Sequence, residues 1–247
     1  MMKIVGIIPV RLDSKRLPKK AIADISGLPM FIHTYKRAEL SKTLDEVYLA
    51  TDSLEIKKIA DDHNIKTIMT SSSHKNSSER IAEACKDIEC EIVVNIQGDE
   101  PLLYPEHIDK IIHPMVNDNN IQVSIGISKF KKRESTSDIK AAIDLDSNIL
   151  YCSRADIPHS YNSINQPLWK LVFIVPHRKE YIMNYLKWKQ SPLEIIEDNH
   201  FLRLIENGIN IKAVEVVGAK ISVDTKEDLN EVRVLMKKDR LFKSEYK

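Results

Sequence analysis

Residues 91–97 (EIVVNIQ) are apolar at nearly every position. A strand of that kind has to be covered on both faces, which places it inside a parallel sheet. Around it, strand-like and helix-like runs alternate. Residues 4–9, 46–51 and 66–69 read as strands, and 30–40, 54–63 and 78–85 as helices, the last opened by Ser77 or Ser78. Pro105 begins a helix to 115, sitting in the first turn where its missing N–H costs nothing. Such alternation predicts an α/β fold: a mostly parallel sheet with crossover helices on both sides.

The second half has a different texture. Residues 122–130, 141–144 and 148–153 read as strands joined by polar, lysine-rich connections, and 172–175 is a short apolar run. Residues 179–188 read as a helix. Residues 192–206 read as one further helix, capped by Ser191 and closed by Asn207-Gly208. A strand at 212–217 and a helix at 226–238 complete the chain. We expect one α/β domain over 1–247 with an inserted, more antiparallel lobe at about 122–190. The run 172–175, with Trp169 and Trp188 near it, serves either a dimer interface or the folded core.

The chain has 37 basic and 36 acidic residues among 247, a formal net charge of +1. That balance argues against general nucleic-acid or membrane-surface binding. No apolar run approaches the ~20 residues of a membrane span, and the start lacks a signal-peptide pattern. Three cysteines, Cys85, Cys90 and Cys152, form no C-x-x-C pair, so neither a disulfide framework nor a zinc site is expected. The cytoplasm is the expected compartment. With six glycines and no G-x-G-x-x-G after the first strand, a dinucleotide-dependent oxidoreductase is a poor reading.

Three segments carry chemistry. The first strand stops at a loop holding Arg11, Ser14, Lys15, Arg16, Lys19 and Lys20 around Pro18. In α/β sheets ligands gather at the carboxyl ends of strands, so a polyphosphate site is favoured over a solvated basic turn. Gln97-Gly98-Asp99-Glu100 follows the strongest strand, and its Asp99 reads either as a Mg²⁺ ligand or as a capping aspartate in a tight turn. Asp224, before Thr225, is a second acid at a strand-to-helix junction, with Thr225 itself suited to an N-cap. Two acids and a distant cationic loop suit metal-assisted attack at phosphorus.

These residues belong to a longer pattern: IIPVRLDSKRLPKKAI (7–22), DISGLPM (24–30), ATD (50–52), HKNSSERIAEA (74–84), VVNIQGDEPL (93–102), YCSRADIP (151–158), SPLEIIE (191–197), LRLIENG (202–208) and SVDTKEDL (222–229). Over most of its length the chain resembles the CMP-Kdo synthetases, the 3-deoxy-manno-octulosonate cytidylyltransferases, within the sugar nucleotidyltransferases. The resemblance implies a Rossmann-like fold with a dimerising lobe, a homodimer, Mg²⁺, and CTP-dependent activation of a sugar acid for cell-surface polysaccharide (lipopolysaccharide) synthesis. It further implies that Arg11, Ser14, Arg16 and Lys20 hold the triphosphate. Arg80 and Gln97 would lie near cytosine, and Asp99 and Asp224 would ligate magnesium. Lys20, Arg16, Asp99 and Asp224 would form the catalytic centre. Arg154 would face the sugar acid, through its two-pronged fork on the carboxylate, and His200, at a position that departs from the family pattern, is a further candidate for the sugar-acid pocket.

The departures from that family pattern are specific. P-G-K becomes Pro18-Lys19-Lys20, and H-x-S-G-T-[DE]-R becomes His74-Lys75-Asn76-Ser77-Ser78-Glu79-Arg80. R-H-x-G-x-Y becomes Lys170-Leu171-Val172-Phe173-Ile174-Val175, and E-Q-L-R becomes His200-Phe201-Leu202-Arg203. The nucleotide half is thus kept better than the sugar half. Either His177, His200 or Lys170 substitutes for the lost polar groups, or the acceptor differs. The leading expectation is a cytidylyltransferase acting on Kdo or a close relative. The alternatives are CMP-activation of a sialic-like nonulosonic acid, and a CTP-binding protein whose acceptor pocket has decayed.

Overall fold

The computed structural model describes residues 2–14, 16–162, 166–219 and 221–246; Lys15, one of the first loop's cations, lies outside them. Strand β1 (Ile4–Pro9) leads through a loop and a 3-10 turn (Lys20–Ile22) into a small hairpin, β2 (Asp24–Ile25) and β3 (Leu28–Pro29), then α1 (Met30–Glu39). There follow β4 (Glu46–Thr51), α2 (Leu54–Asp62), β5 (Thr67–Met69), α3 (Ser77–Ala84), β6 (Ile92–Ile96) and α4 (Pro105–Asn117). β5, β4, β1 and β6 lie side by side and parallel. The alternation expected for this half is what forms.

β7 (Val123–Phe130), β8 (Lys140–Ile143), β9 (Ile149–Ser153), β10 (Leu168–Val172) and β11 (Ile174–Arg178) extend the same sheet with antiparallel pairings. β12 (Ile211–Glu215) returns parallel to β7. Residues 122–190 are therefore hydrogen-bonded into the main sheet through β11 against β6. The apolar run at 172–175 is part of a longer feature. Residues 168–172 pair with β7, and 174–178 pair with β6, so one extended segment bends at Phe173.

α1, α2 and α4 cover one face of the sheet, where Phe31, Tyr35, Ile56 and Ile108 meet Ile8, Val94 and Ile96. The opposite face packs Ile81, Leu171, Val175, Ile182, Tyr185 and Phe201 against Val5, Ile7 and Val93 under α3, α5 (Lys179–Tyr185) and α7 (Leu202–Glu206). Val172 is buried on the first face and Val175 on the second, so the core is their use. A third cluster joins α8 (Lys226–Met236) and a π-helical turn (Phe242–Tyr246) to Ile25 and Met30.

The single helix expected over 192–206 is two. α6 (Pro192–Glu197) ends at Asp198, whose φ of 47° is left-handed, and α7 begins at Leu202. Bonds from a distant segment and one local bond hold the break. The Arg154 guanidinium donates to the carbonyls of Glu197 and Asp198, and the Asn199 side chain accepts from the N–H of Phe201. Asp and Asn tolerate such turns. The cap of α3 also differs: the Asn76 side chain accepts from the Glu79 N–H at 3.0 Å, one residue before the serines expected to do so.

Candidate active site

The loop after β1 reaches the carboxyl end of β6. Lys19, where the resemblance expects glycine, holds φ 54°, ψ 29°, a left-handed conformation that costs a side-chain-bearing residue about 1 kcal/mol. Its ammonium pairs with Glu55 at 3.0 Å. The turn aims Lys20 inward and Lys19 outward. Lys20 Nζ lies 2.7 Å from Asp99 Oδ2, 3.2 Å from Asp224 Oδ1 and 2.7 Å from the carbonyl of Val223. Arg16 Nη2 reaches the same Asp224 oxygen at 2.8 Å. Arg11 stands exposed and Ser14 half-buried on the same loop.

Asp99 and Asp224 come from distant segments joined through the main chain: the Val223 N–H donates to the Asp99 carbonyl at 2.9 Å. Gly98, just before Asp99, permits the close packing of this turn on the end of β1. A Cβ there would stand 2.8 Å from Val10 Cγ2 and 3.2 Å from the Pro9 carbonyl. Burial opposes charge on Lys20, yet the Asp99 and Asp224 carboxylates outweigh it and hold its pKa above the ordinary lysine value. The capping of α8 by Thr225, whose hydroxyl accepts from the Asp228 N–H, fixes the chain direction next to Asp224. Asp99 is not the N-cap of the helix that follows, since α4 starts at Pro105 with Tyr104 in that position.

Arg80 and Gln97 lie on the α3 side. The buried Arg80 guanidinium meets Asp52 at 3.3 Å and donates to Thr70 at 2.5 Å. Gln97 Nε2 donates to the Ser77 hydroxyl at 3.1 Å and to Asn95 Oδ1 at 3.0 Å. Both bonds use the amide nitrogen; among the described residues none donates to the Gln97 side-chain carbonyl oxygen. The Gln97–Ser77 bond sets the start of α3 beside the end of β6.

The remaining positions cluster on the other side of β6. Arg154, expected as an open fork, donates to the carbonyls of Glu197 at 2.9 Å, Thr136 at 2.8 Å and Asp198 at 3.2 Å. Its guanidinium therefore holds the α6–α7 turn, with 33% of the side chain exposed. His200 packs on Phe201 with ring centroids 4.3 Å apart. Burial pushes its pKa down to about 4 and leaves Nε2 without a partner, so it is a neutral ring. His177 is fully buried under α5, with both ring nitrogens unpartnered and its pKa pushed by burial down to about 3. It is a core residue. Lys170 pairs with Asp138 at 2.5 Å. Leu171 and Val175 pack into the core, so the polar groups expected at those positions are replaced by apolar packing.

Two groups escape the sequence reading. Glu100 is 7% exposed and accepts from the Ser222 hydroxyl. Burial, with Asp99 beside it, pushes its pKa up to about 7. Arg203 forms a bidentate pair with Glu194 at 2.6 and 2.5 Å, approaches Glu79 at 3.8 Å and lies over the Tyr185 ring at 4.2 Å. It links α6, α7 and α3. The sequence signal for both was a place inside quoted motifs, with nothing to mark them as buried.

An α/β sheet bearing cations and acids at the carboxyl ends of β1 and β6 suits a nucleotidyltransferase, and comparison with known proteins places the chain in that class. A family model for cytidylyltransferases matches residues 5–214. The 3-deoxy-manno-octulosonate cytidylyltransferase of Chlorobium phaeobacteroides is 36% identical over 242 residues, spanning 96% of this chain and 98% of that protein. Its Escherichia coli counterpart is 34% identical over 238 residues, spanning 96% and 97%. A solved structure of CMP:2-keto-3-deoxy-manno-octonic acid synthetase complexed with CTP superposes with a TM-score of 0.92 at 33% identity, covering 96% of this chain and 99% of that one. The chain belongs to the cytidylyltransferases and, among them, to the 3-deoxy-manno-octulosonate cytidylyltransferase family.

Proposed function

We propose that this chain joins CMP from CTP to a 3-deoxy ulosonic acid, Kdo or a close relative, releasing pyrophosphate. The observation that carries this reading is the convergence of Lys20, Arg16, Asp99 and Asp224 on one point. The anomeric hydroxyl attacks the α-phosphorus in line. A new oxygen–phosphorus bond forms as the bond from the α-phosphorus to the bridging oxygen breaks, and the electron pair leaves with pyrophosphate. Arg11, Arg16 and Lys20 offset the charge that accumulates on that leaving group, in positions set before reaction. Arg80 and the Gln97 carbonyl oxygen face the cytosine edge, where an acceptor suits the exocyclic amine.

Asp99 and Asp224 suit Mg²⁺, which takes one or two carboxylates and completes its shell with water and phosphate oxygens. Their fit rests on the Lys20 ammonium already standing as a cation between them. Bound there, the ion would neutralise phosphate charge and acidify the attacking hydroxyl. Arg154 would bring its remaining N–H groups to the sugar carboxylate while holding the turn. We place the reaction in the cytoplasm, where CTP is made; among the described residues no helix is long and apolar enough to cross a membrane. A homodimer fits the exposed Leu150 of β9 and Ile195 and Ile196 of α6. β9 and α6 are drawn together by the Tyr151–Glu197 and Ser153–Glu197 bonds.

Pyrophosphate release with CTP, Mg²⁺ and Kdo tests the reading. We expect steady release dependent on all three. Release with a nonulosonic acid and none with Kdo would move the acceptor class, and none with any sugar acid would end the proposal.

A further inference from the structure

Phe173 stands where the chain leaves β7 for β6, and its carbonyl accepts the Gln97 N–H at 3.4 Å. It therefore sits at the carboxyl end of β6, two residues' reach from Asp99. It also lies on the opposite side of β6 from β1 and the phosphate loop. Its half-buried ring stacks on buried Phe201, with centroids 5.8 Å apart and planes 17° from parallel. His200 packs against Phe201 in turn, as a neutral ring. The result is a supported aromatic surface whose backbone abuts the carboxyl end of β6, at positions where the family pattern has glycine and glutamine.

We infer that the Phe173 ring selects the acceptor by receiving its deoxygenated C3 edge. This rests on the proposed reading of the chain as a cytidylyltransferase for an ulosonic acid. Around an anomeric carbon whose hydroxyl attacks near Asp99 stand a carboxylate, the ring oxygen and C3. Only C3, as a methylene, is apolar. A hydroxyl at C3 would be pressed against an aromatic face with no partner, and a polar group desolvated without a hydrogen bond is costly. An apolar surface that packs a methylene discriminates modestly by fit, whereas stranding a hydroxyl adds to the difference.

The test is kcat/KM for the full chain with CTP and Mg²⁺, comparing Kdo with the corresponding 3-hydroxy octulosonic acid. The wild-type chain should prefer the 3-deoxy acid by at least ~10-fold. Phe173→Ala should shrink that preference to within about threefold while the KM for CTP stays unchanged, and Phe173→Leu, still apolar and bulky, should keep most of it. Absence of preference in the wild-type chain overturns the inference without any variant. So does an unchanged preference in a folded Phe173→Ala chain, or a CTP KM that rises in step with the acceptor KM. Turnover without discrimination sinks only this role of Phe173, whereas no turnover of either acid sinks the reading beneath it.

Discussion

Lys20 Nζ sits 2.7 Å from Asp99 and 3.2 Å from Asp224, so one ammonium occupies the point at which both carboxylates aim. A divalent ion placed there would compete with that ammonium, and on the proposed reading each acid would be needed to hold it. Asp99→Asn keeps the side chain's shape and removes its charge. Turnover should fall by at least ~10²-fold, while the thermal midpoint stays within a few degrees. Pyrophosphate release and circular dichroism check the two halves, and magnesium-dependent activity in the variant would remove Asp99 from the role. Adding EDTA to the wild-type chain should likewise stop release, and excess Mg²⁺ should restore it.

Removing the ammonium makes the converse experiment. Lys20→Met leaves the two carboxylates facing each other without their shared cation, and like charges brought together disfavour the arrangement. Mg²⁺ should then raise the thermal midpoint of the variant more than that of the wild-type chain, because the ion no longer displaces a lysine. The variant should also lose affinity for CTP more than for CMP if Lys20 touches the outer phosphates as proposed. Calorimetric titration of both nucleotides separates these outcomes, and equal losses would put Lys20 elsewhere.

Legibility in the sequence followed the range of the interactions. β1 and β4 form over the residues expected from their apolar runs, because a fully covered strand writes itself into local composition. The bent segment at Phe173 was visible only as 172–175. Pro176 and buried His177 interrupt the apolar pattern, and a proline argues against a central strand. The break at Asp198 was hidden because its cause, the Arg154 guanidinium, comes from another part of the chain. The acids of the site stood out individually at strand ends. Their union through the Val223–Asp99 backbone bond is tertiary, and no local pattern encodes it.

Arg203 and Glu194 offer a test of what holds the α6–α7 turn to α3. Both are nearly inaccessible, at 2% and 4% side-chain exposure, and their two hydrogen bonds are short. Removing one partner strands the other charge in the interior. Arg203→Met should therefore cost about 3–5 kcal/mol, read as a lower urea midpoint at unchanged slope. Adding Glu194→Gln should recover part of that loss, because the stranded carboxylate is then gone. A single-variant loss under ~1 kcal/mol would mean that the pair is relaxed by solvent.

His177 makes the chain acid-sensitive in a defined window. Burial holds its pKa at about 3 in the fold, with His200 as the neighbouring titratable ring, against an ordinary 6.5 in the unfolded chain. Between those values the unfolded chain binds the proton and the folded chain does not. Stability is thus full above the ordinary value, falls as pH drops below it, and levels off only beneath the folded value. The loss from this one residue amounts to about 2 kcal/mol by about pH 5. His177→Leu removes the group that must charge on unfolding, and it also removes two buried ring nitrogens that lack partners. Replacing such unmet polar atoms by an apolar side chain is nearly neutral or stabilising. Urea midpoints should accordingly be equal or higher in the variant near neutrality, and the gap should widen in its favour towards pH 5. A constant difference across that range would mean that His177 titrates normally in the folded chain.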